Sequence, residues 1–113
     1  MKIGILGGGQ LARMMAQAGA ALGHEFMFFS PDPQSCAAPF GELLCAPFDD
    51  AHAQQRLVEW ADVVTYEFEN VPTSLVQSLE RQVAVHPSAT ALAVANDRLR
   101  EKRCFRSLGI PTA

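Results

Sequence analysis

Three consecutive glycines, Gly7, Gly8 and Gly9, follow the apolar run Lys2–Leu6 and precede a stretch of helical periodicity. Glycine lets the backbone take positive φ and lets a ligand approach it closely. A helix that begins directly after such a turn offers unpaired N–H groups and the positive end of its dipole. An anion at Gly9, Gln10 and Leu11 is therefore physically favoured. Gly7-x-Gly9-x-x-Ala12 satisfies the loose dinucleotide fingerprint, and Asp32 lies where a ribose-binding acid could sit. Pro31 and Pro33 flank Asp32, however, which suits a turn residue better. No Gly-Lys-Ser/Thr follows the glycines at the spacing of a Walker A loop. The glycines alone leave three phosphates open: a dinucleotide's, that of ATP, or that of a small sugar-phosphate substrate.

A second stretch, DVVTYEFENVP, alternates Glu67 and Glu69 with Tyr66 and Phe68 at the end of an apolar run. Alternation puts both acids on one strand face. A strand buried on both sides does not carry an unpaired acid. Both acids are therefore expected at the strand's C-terminal end, in the same crevice as the glycines, where a carboxylate suits sugar hydroxyls. A third stretch, ANDRLREKRCF, holds Arg98, Arg100, Lys102, Arg103 and Arg106. These cannot share one helix face, so most are expected to face solvent, with a phosphate partner as the sharper alternative. Arg98 and Lys102 lie one turn apart and can act together. His86, before Pro87, reads as a strand-end or loop residue rather than a metal ligand.

The elements that must position these residues follow from periodicity. Lys2–Leu6 is a strand. From Gln10 to Leu22 the apolar residues Leu11, Met14, Met15, Ala18 and Leu22 recur at helical spacing, and Gly23 closes the helix. EFMFFS is a second strand, ended by SPDP. ELLCA suits a short strand. DDAHAQQRLVEWA suits a helix capped by Asp49 or Asp50, with Leu57, Val58 and Trp60 turned inward. DVVTYEF is a strand, PTSLVQSLERQ a helix with Pro72 in its first turn, and VAVHP a short strand. A final amphipathic helix is expected from Ser88 or Thr90 to Leu108, ended by Gly109 and Pro111. Strands alternating with helices imply an α/β, Rossmann-like, three-layer fold with a mostly parallel sheet of four or five strands. Ligands of such sheets bind outside the carboxyl ends of the strands.

The 113 residues suit one ordinary domain, and an apolar fraction of 49% is enough for one core. The net charge of −3 argues against a nucleic-acid binder. The charge is uneven: the basic segment carries five of the nine Lys and Arg residues. No apolar stretch approaches the roughly 20 residues that span a bilayer. The N-terminus lacks the layout of a signal peptide, so a cytoplasmic location is expected. Cys36, Cys45 and Cys104 are odd in number and match no zinc spacing; free thiols are expected.

Taken together, GILGGGQLARMM, ADVVTYEFENVP and HPS…DRLREKRCFRSLGIPTA closely resemble the N-terminal domain of the 5-(carboxyamino)imidazole ribonucleotide synthases, the ATPase subunit of phosphoribosylaminoimidazole carboxylase, in the ATP-grasp superfamily. The resemblance covers essentially the whole chain. It implies a pre-ATP-grasp domain over residues 1–113, with a helix and linker from about residue 88 that lead to an ATP-grasp domain absent from this sequence. It implies a ligase that uses ATP and bicarbonate to carboxylate 5-aminoimidazole ribonucleotide in purine biosynthesis. By motif position, Gly8, Gly9, Gln10 and Leu11 match the loop near the substrate phosphate, Glu67 matches a ribose-binding acid, and Arg98 matches an arginine that reaches the ATP phosphates. No catalytic residue and no metal ligand are assigned to this chain. ATP and Mg2+ are expected mainly on the absent domains, and the family is expected to form homodimers. Many relatives carry glycine where this chain has Ala12, a small residue that keeps the packing close. The isolated chain is expected to be inactive, with weak ribonucleotide binding at most. Two further readings stay open from the residues themselves: a small NAD-binding module, resting on the glycines and Asp32, and a non-catalytic dimerisation domain.

Overall fold

A computed structural model describes residues 1–113. The strands are β1 (Lys2–Leu6), β2 (Glu25–Ser30), β3 (Glu42–Cys45), β4 (Val63–Tyr66) and β5 (Ala84–Val85). The helices are α1 (Gln10–Ala20), α2 (Ala51–Trp60), α3 (Thr73–Glu80), α4 (Ala89–Ala95) and α5 (Arg98–Ser107), with one 3-10 turn at Ala38–Phe40. The strands form one sheet in the order β3-β2-β1-β4-β5. Every neighbouring pair is parallel, so the expected fold class and strand count hold. The order reverses between β1 and β4. That switch point is where a doubly wound sheet opens a crevice at its carboxyl edge.

Alternation along the strands splits the core into two layers. Ile5, Phe26 and Phe28 point to one face, where they pack with Ala12 and Ala16 of α1 and with Ala37. Leu6, Met27, Phe29, Leu44 and Val64 point to the other face, against Leu57 of α2, Leu75, Val76 and Leu79 of α3, and Leu92 of α4. The two faces give the three layers that the sequence implies.

Two local expectations are corrected, and one is sharpened. Of the periodic apolar residues after Gln10, only Met15 packs against the core, and it is half-buried. Leu11 and Met14 are 56% and 54% exposed, and Leu22, beyond the helix end, is 76% exposed. Ala12, Ala16 and Gly19 are the residues that meet the sheet. A side chain at Gly19 would run into the Phe26 ring, so only the small face of α1 can lie this close. In α2, Asp50 is the cap, its carboxylate accepting from Ala53 N at 2.9 Å. Leu57 is fully buried, and Val58 and Trp60, half-buried, turn inward and pack against the same core as expected. The final helix is two helices. Asn96 closes α4 and donates to Thr73 Oγ1 at 3.0 Å. Asp97 starts α5 by accepting from Leu99 N and Arg100 N. The Asn96 tie to α3 and the Asp97 backbone cap, on adjacent residues, interrupt a pattern whose apolar period runs on unbroken. No helix of the chain is long and apolar enough to cross a membrane.

Candidate functional site

The β1–β4 register pairs Leu6 with Tyr66. The residues that leave these two strands, Gly7–Gly9 and Glu67, therefore emerge side by side at the switch point. Glu67 turns its carboxylate back onto the start of α1. Its Oε1 accepts from Gly9 N at 2.7 Å and its Oε2 from Ala12 N at 2.7 Å. Gly9 is the N-cap position of α1 and brings no side-chain cap of its own. The Glu67 carboxylate, 55 residues from Ala12, supplies the cap instead, as a negative charge at the positive end of the helix.

The glycines make this possible. Gly7 has φ +115°, a conformation that L side chains avoid, and a Cβ there would lie 2.6 Å from Glu67 Oε1. A Cβ on Gly9 would lie 2.9 Å from the same oxygen. A Cβ on Gly8 would collide with Ser35 Oγ. Gly7 N donates to Phe29 O at 2.8 Å, and Gly8 O accepts from Ser35 Oγ at 2.5 Å. The loop is thus tied to β2, to the β2–β3 connection and to the end of β4.

A cleft of about 380 Å3 opens beside the loop, with Asp32, Gln34, Phe48, Glu67 and Phe68 on its walls. No Lys, Arg or His lines it. Asp32 keeps its turn role, accepting from Gln34 N at 2.8 Å, while it also faces the cleft. Two carboxylates without a cation suit hydroxyl and amine donors and disfavour a phosphate in the cleft itself. The helix-start amides of Gln10 and Leu11 have no partner in this chain, and both residues are exposed. They are the donors left for an anion, because Gly9 and Ala12 already serve Glu67.

Glu69 does not share this crevice. β4 ends at Tyr66, and the chain turns between Glu67 and Val71, so strand alternation no longer applies there. Glu69 lines a separate depression of about 450 Å3 with Asn70, Asn96, Glu101 and Arg98. Arg98, the first residue of α5, is exposed and apart from the glycine loop. Of the basic residues of this helix only Lys102 is half-buried.

Tyr66 lies beside the outer side of α1, with its hydroxyl 3.5 Å from Ser88 O. Burial raises its pKa above 10.0, and the nearby Glu80 carboxylate adds to the shift. The three cysteines are free thiols; Cys36 lies at the cleft and Cys45 is exposed. His86 is exposed and its backbone N–H continues the sheet by donating to Val64 O. No group of three or more His, Cys, Asp or Glu side chains is placed to hold a metal ion. Ser35 and Phe48 are site residues that motif reading does not reach. Ser35 has no periodicity or spacing to mark it, whereas Phe68 stands inside the YEFEN stretch.

The family described as ribonucleotide synthetase preATP-grasp domain matches residues 1–96. The N5-carboxyaminoimidazole ribonucleotide synthase of Pseudomonas aeruginosa is 48% identical over 112 residues, covering 99% of this chain and 31% of that protein. The crystal structure of N5-carboxyaminoimidazole ribonucleotide synthetase from Thermus thermophilus superposes with a TM-score of 0.94 at 53% identity, over 97% of this chain and 31% of that one. The enzyme from Aspergillus clavatus, in complex with ADP and 5-aminoimidazole ribonucleotide, superposes with a TM-score of 0.85 at 29% identity, over 99% of this chain and 30% of that one. The chain spans about a third of the length of these relatives.

Proposed function

The chain belongs to the ribonucleotide synthetase pre-ATP-grasp domain family, and on that premise we propose that it is the ribonucleotide-holding part of a cytoplasmic ATP-dependent carbon–nitrogen ligase. The ligase carboxylates the exocyclic amine of 5-aminoimidazole ribonucleotide with bicarbonate. ATP and bicarbonate give carboxyphosphate and ADP, the amine takes the carboxyl group, and phosphate leaves. The observation that carries the reading is the Glu67 carboxylate, fixed by two backbone amides at the switch point and facing a cleft that holds a second acid and no cation. Each of its oxygens keeps a lone pair for a sugar hydroxyl. The amides of Gln10 and Leu11 take part of the 5′-phosphate, and the loop through Gly8 and Gly9 lies against the sugar.

Nothing in this chain is assigned the chemistry itself. We assign the metal and most of the ATP site to the rest of the ligase. Arg98, in its own depression with Glu69 and Glu101, reaches toward the ATP phosphates from the edge of the chain. The working ligase is a homodimer, which sedimentation of the full-length enzyme checks.

Calorimetric titration of the chain with 5-aminoimidazole ribonucleotide and, separately, with NAD tests the assignment. Ribonucleotide binding that is lost in Glu67→Ala is expected. NAD binding without a ribonucleotide effect would overturn it. Glu67 already speaks against a pyrophosphate here, because it occupies two of the helix-start amides that such a group needs.

A further inference from the structure

The peptide unit that joins Gly8 to Gly9 is held at both polar ends. Its carbonyl accepts from Ser35 Oγ at 2.5 Å and, more distantly, from Ala37 N at 3.4 Å, and its N–H donates to Glu67 Oε1 at 2.7 Å. The two groups of a planar trans peptide point in opposite directions. Ser35, from the β2–β3 connection, and Glu67, from the end of β4, therefore grip one peptide from opposite sides. Ser35 is only 8% exposed. Its oxygen also accepts from Ala37 N at 3.2 Å, which leaves its proton to Gly8 O. The peptide needs such a grip, because glycine flanks it on both sides and glycine torsions turn easily. A turned peptide would aim the Gly8 carbonyl at the Glu67 carboxylate, acceptor against acceptor.

We propose that Ser35 is a positioning residue for Glu67. By holding the Gly8 carbonyl, it keeps the Gly9 N–H aimed at Glu67 Oε1 and so fixes the carboxylate that the cleft presents. The grip itself is a property of this chain. Only its effect on the ribonucleotide rests on the function proposed above.

The test is an acid titration of the 15N-labelled chain followed by NMR. Gly9 and Ala12 donate to the same carboxylate, so both amide protons are expected downfield and both shift as Glu67 is protonated. In Ser35→Ala the Gly9 signal is expected to move upfield and lose that response, while Ala12 keeps it; Ser35→Thr, which retains the hydroxyl, restores Gly9. An unchanged Gly9 titration in Ser35→Ala overturns the proposal. So does equal loss at Gly9 and Ala12, which marks general loosening rather than positioning. If Ser35→Ala does not fold, the wild-type hydroxyl proton decides: slow exchange with a cross-peak to the Gly9 region supports the grip, and fast exchange overturns it. In a second arm, ribonucleotide affinity is expected to fall about tenfold in Ser35→Ala, the scale of one lost hydrogen bond. In a full-length ligase of this family, a Glu67→Ala variant with unchanged ribonucleotide affinity sinks the functional reading, and the Gly9 arm still decides the grip.

Discussion

Gly9 and Glu67 are 58 residues apart in sequence and joined by a 2.7 Å hydrogen bond from the N-cap amide of α1 to a carboxylate oxygen. The bond follows from strand order. Because β4 crosses over to lie against β1, Leu6 pairs with Tyr66 and the next residues of both strands meet at the open edge of the sheet. The glycine loop therefore holds an anion of its own before any ligand arrives. That changes the chemistry of the loop from a bare phosphate cradle to a fixed carboxylate flanked by two free amides.

Glu67→Gln is expected to destabilise the chain by about 1–2 kcal/mol, since an amide can accept from only one of the two N–H groups and presents a donor to the other. Urea denaturation measures this. In a full-length ligase of this family, Glu67→Ala should also weaken ribonucleotide affinity more than ATP affinity. Equal loss of both would remove the ribose assignment.

Gly7→Ala separates backbone strain from contact. Gly7 and Gly23 both have positive φ, at +115° and +83°, but only at Gly7 would a Cβ strike Glu67, whereas nothing lies within 4 Å at Gly23. Alanine at Gly23 is expected to cost about 1 kcal/mol from strain alone. Alanine at Gly7 should cost clearly more in the same denaturation assay. Equal costs would mean that Glu67 moves aside freely.

Much of this was legible in the residues, and the rest was hidden for physical reasons. Strand and helix periods located nearly every element, and the rule that ligands sit at carboxyl edges brought Glu67 and the glycines to one crevice. That Glu67 caps α1 depends on β1 and β4 being neighbours, which strand crossover decides and local pattern does not. The buried side of α1 was masked because Leu11 and Met14 have the stronger periodic signal, although Ala12, Ala16 and Gly19 alone allow close approach to Phe26. The break at Asn96–Asp97 did leave a trace, since both residue types favour helix ends. Ser35 left none: a single serine in a loop looks the same whether it is buried or solvated.

Tyr66 supplies a pH test. It is the only tyrosine, so phenolate absorbance reports it alone. Burial, with a smaller contribution from Glu80, raises its pKa above 10.0. A raised value in the folded state means that the protonated phenol favours folding. Its contribution is complete below 10.0 and is lost as pH rises through the raised value. The absorbance midpoint should lie above 10.0 in the folded chain, return to about 10 in urea, and fall part of the way in Glu80→Gln. A folded midpoint at or below the urea value would contradict the burial of the hydroxyl.

Asp97 tests how independently α5 stands. No residue of α5 is buried, so the helix depends on its cap and on its contacts with α4. Asp97→Ala removes the acceptor of Leu99 N and Arg100 N, a change of about 1 kcal/mol. Hydrogen exchange is expected to speed up from Arg98 to Glu101 while Tm hardly moves. A cooperative fall in Tm would show that α5 is part of the folding core after all.

Arg98 tests whether the two depressions serve two ligands. It lies with Glu69, Asn96 and Glu101, whereas Glu67 faces the glycine-loop cleft and the outer side of α1. A guanidinium beside two carboxylates in open solvent gains little from them, since exposed pairs contribute roughly 0–1 kcal/mol, so its removal should leave stability almost unchanged. If it contacts ATP phosphates in the assembled ligase, Arg98→Ala should raise the apparent KM for ATP about tenfold or more, as loss of a charge-assisted contact does. Ribonucleotide affinity should stay at the wild-type level, the reverse of the Glu67→Ala pattern. Steady-state kinetics with each substrate varied in turn separates the two effects. An unchanged apparent ATP affinity would return Arg98 to the solvated face of α5, and parallel losses for both substrates would mean that the two depressions form one site.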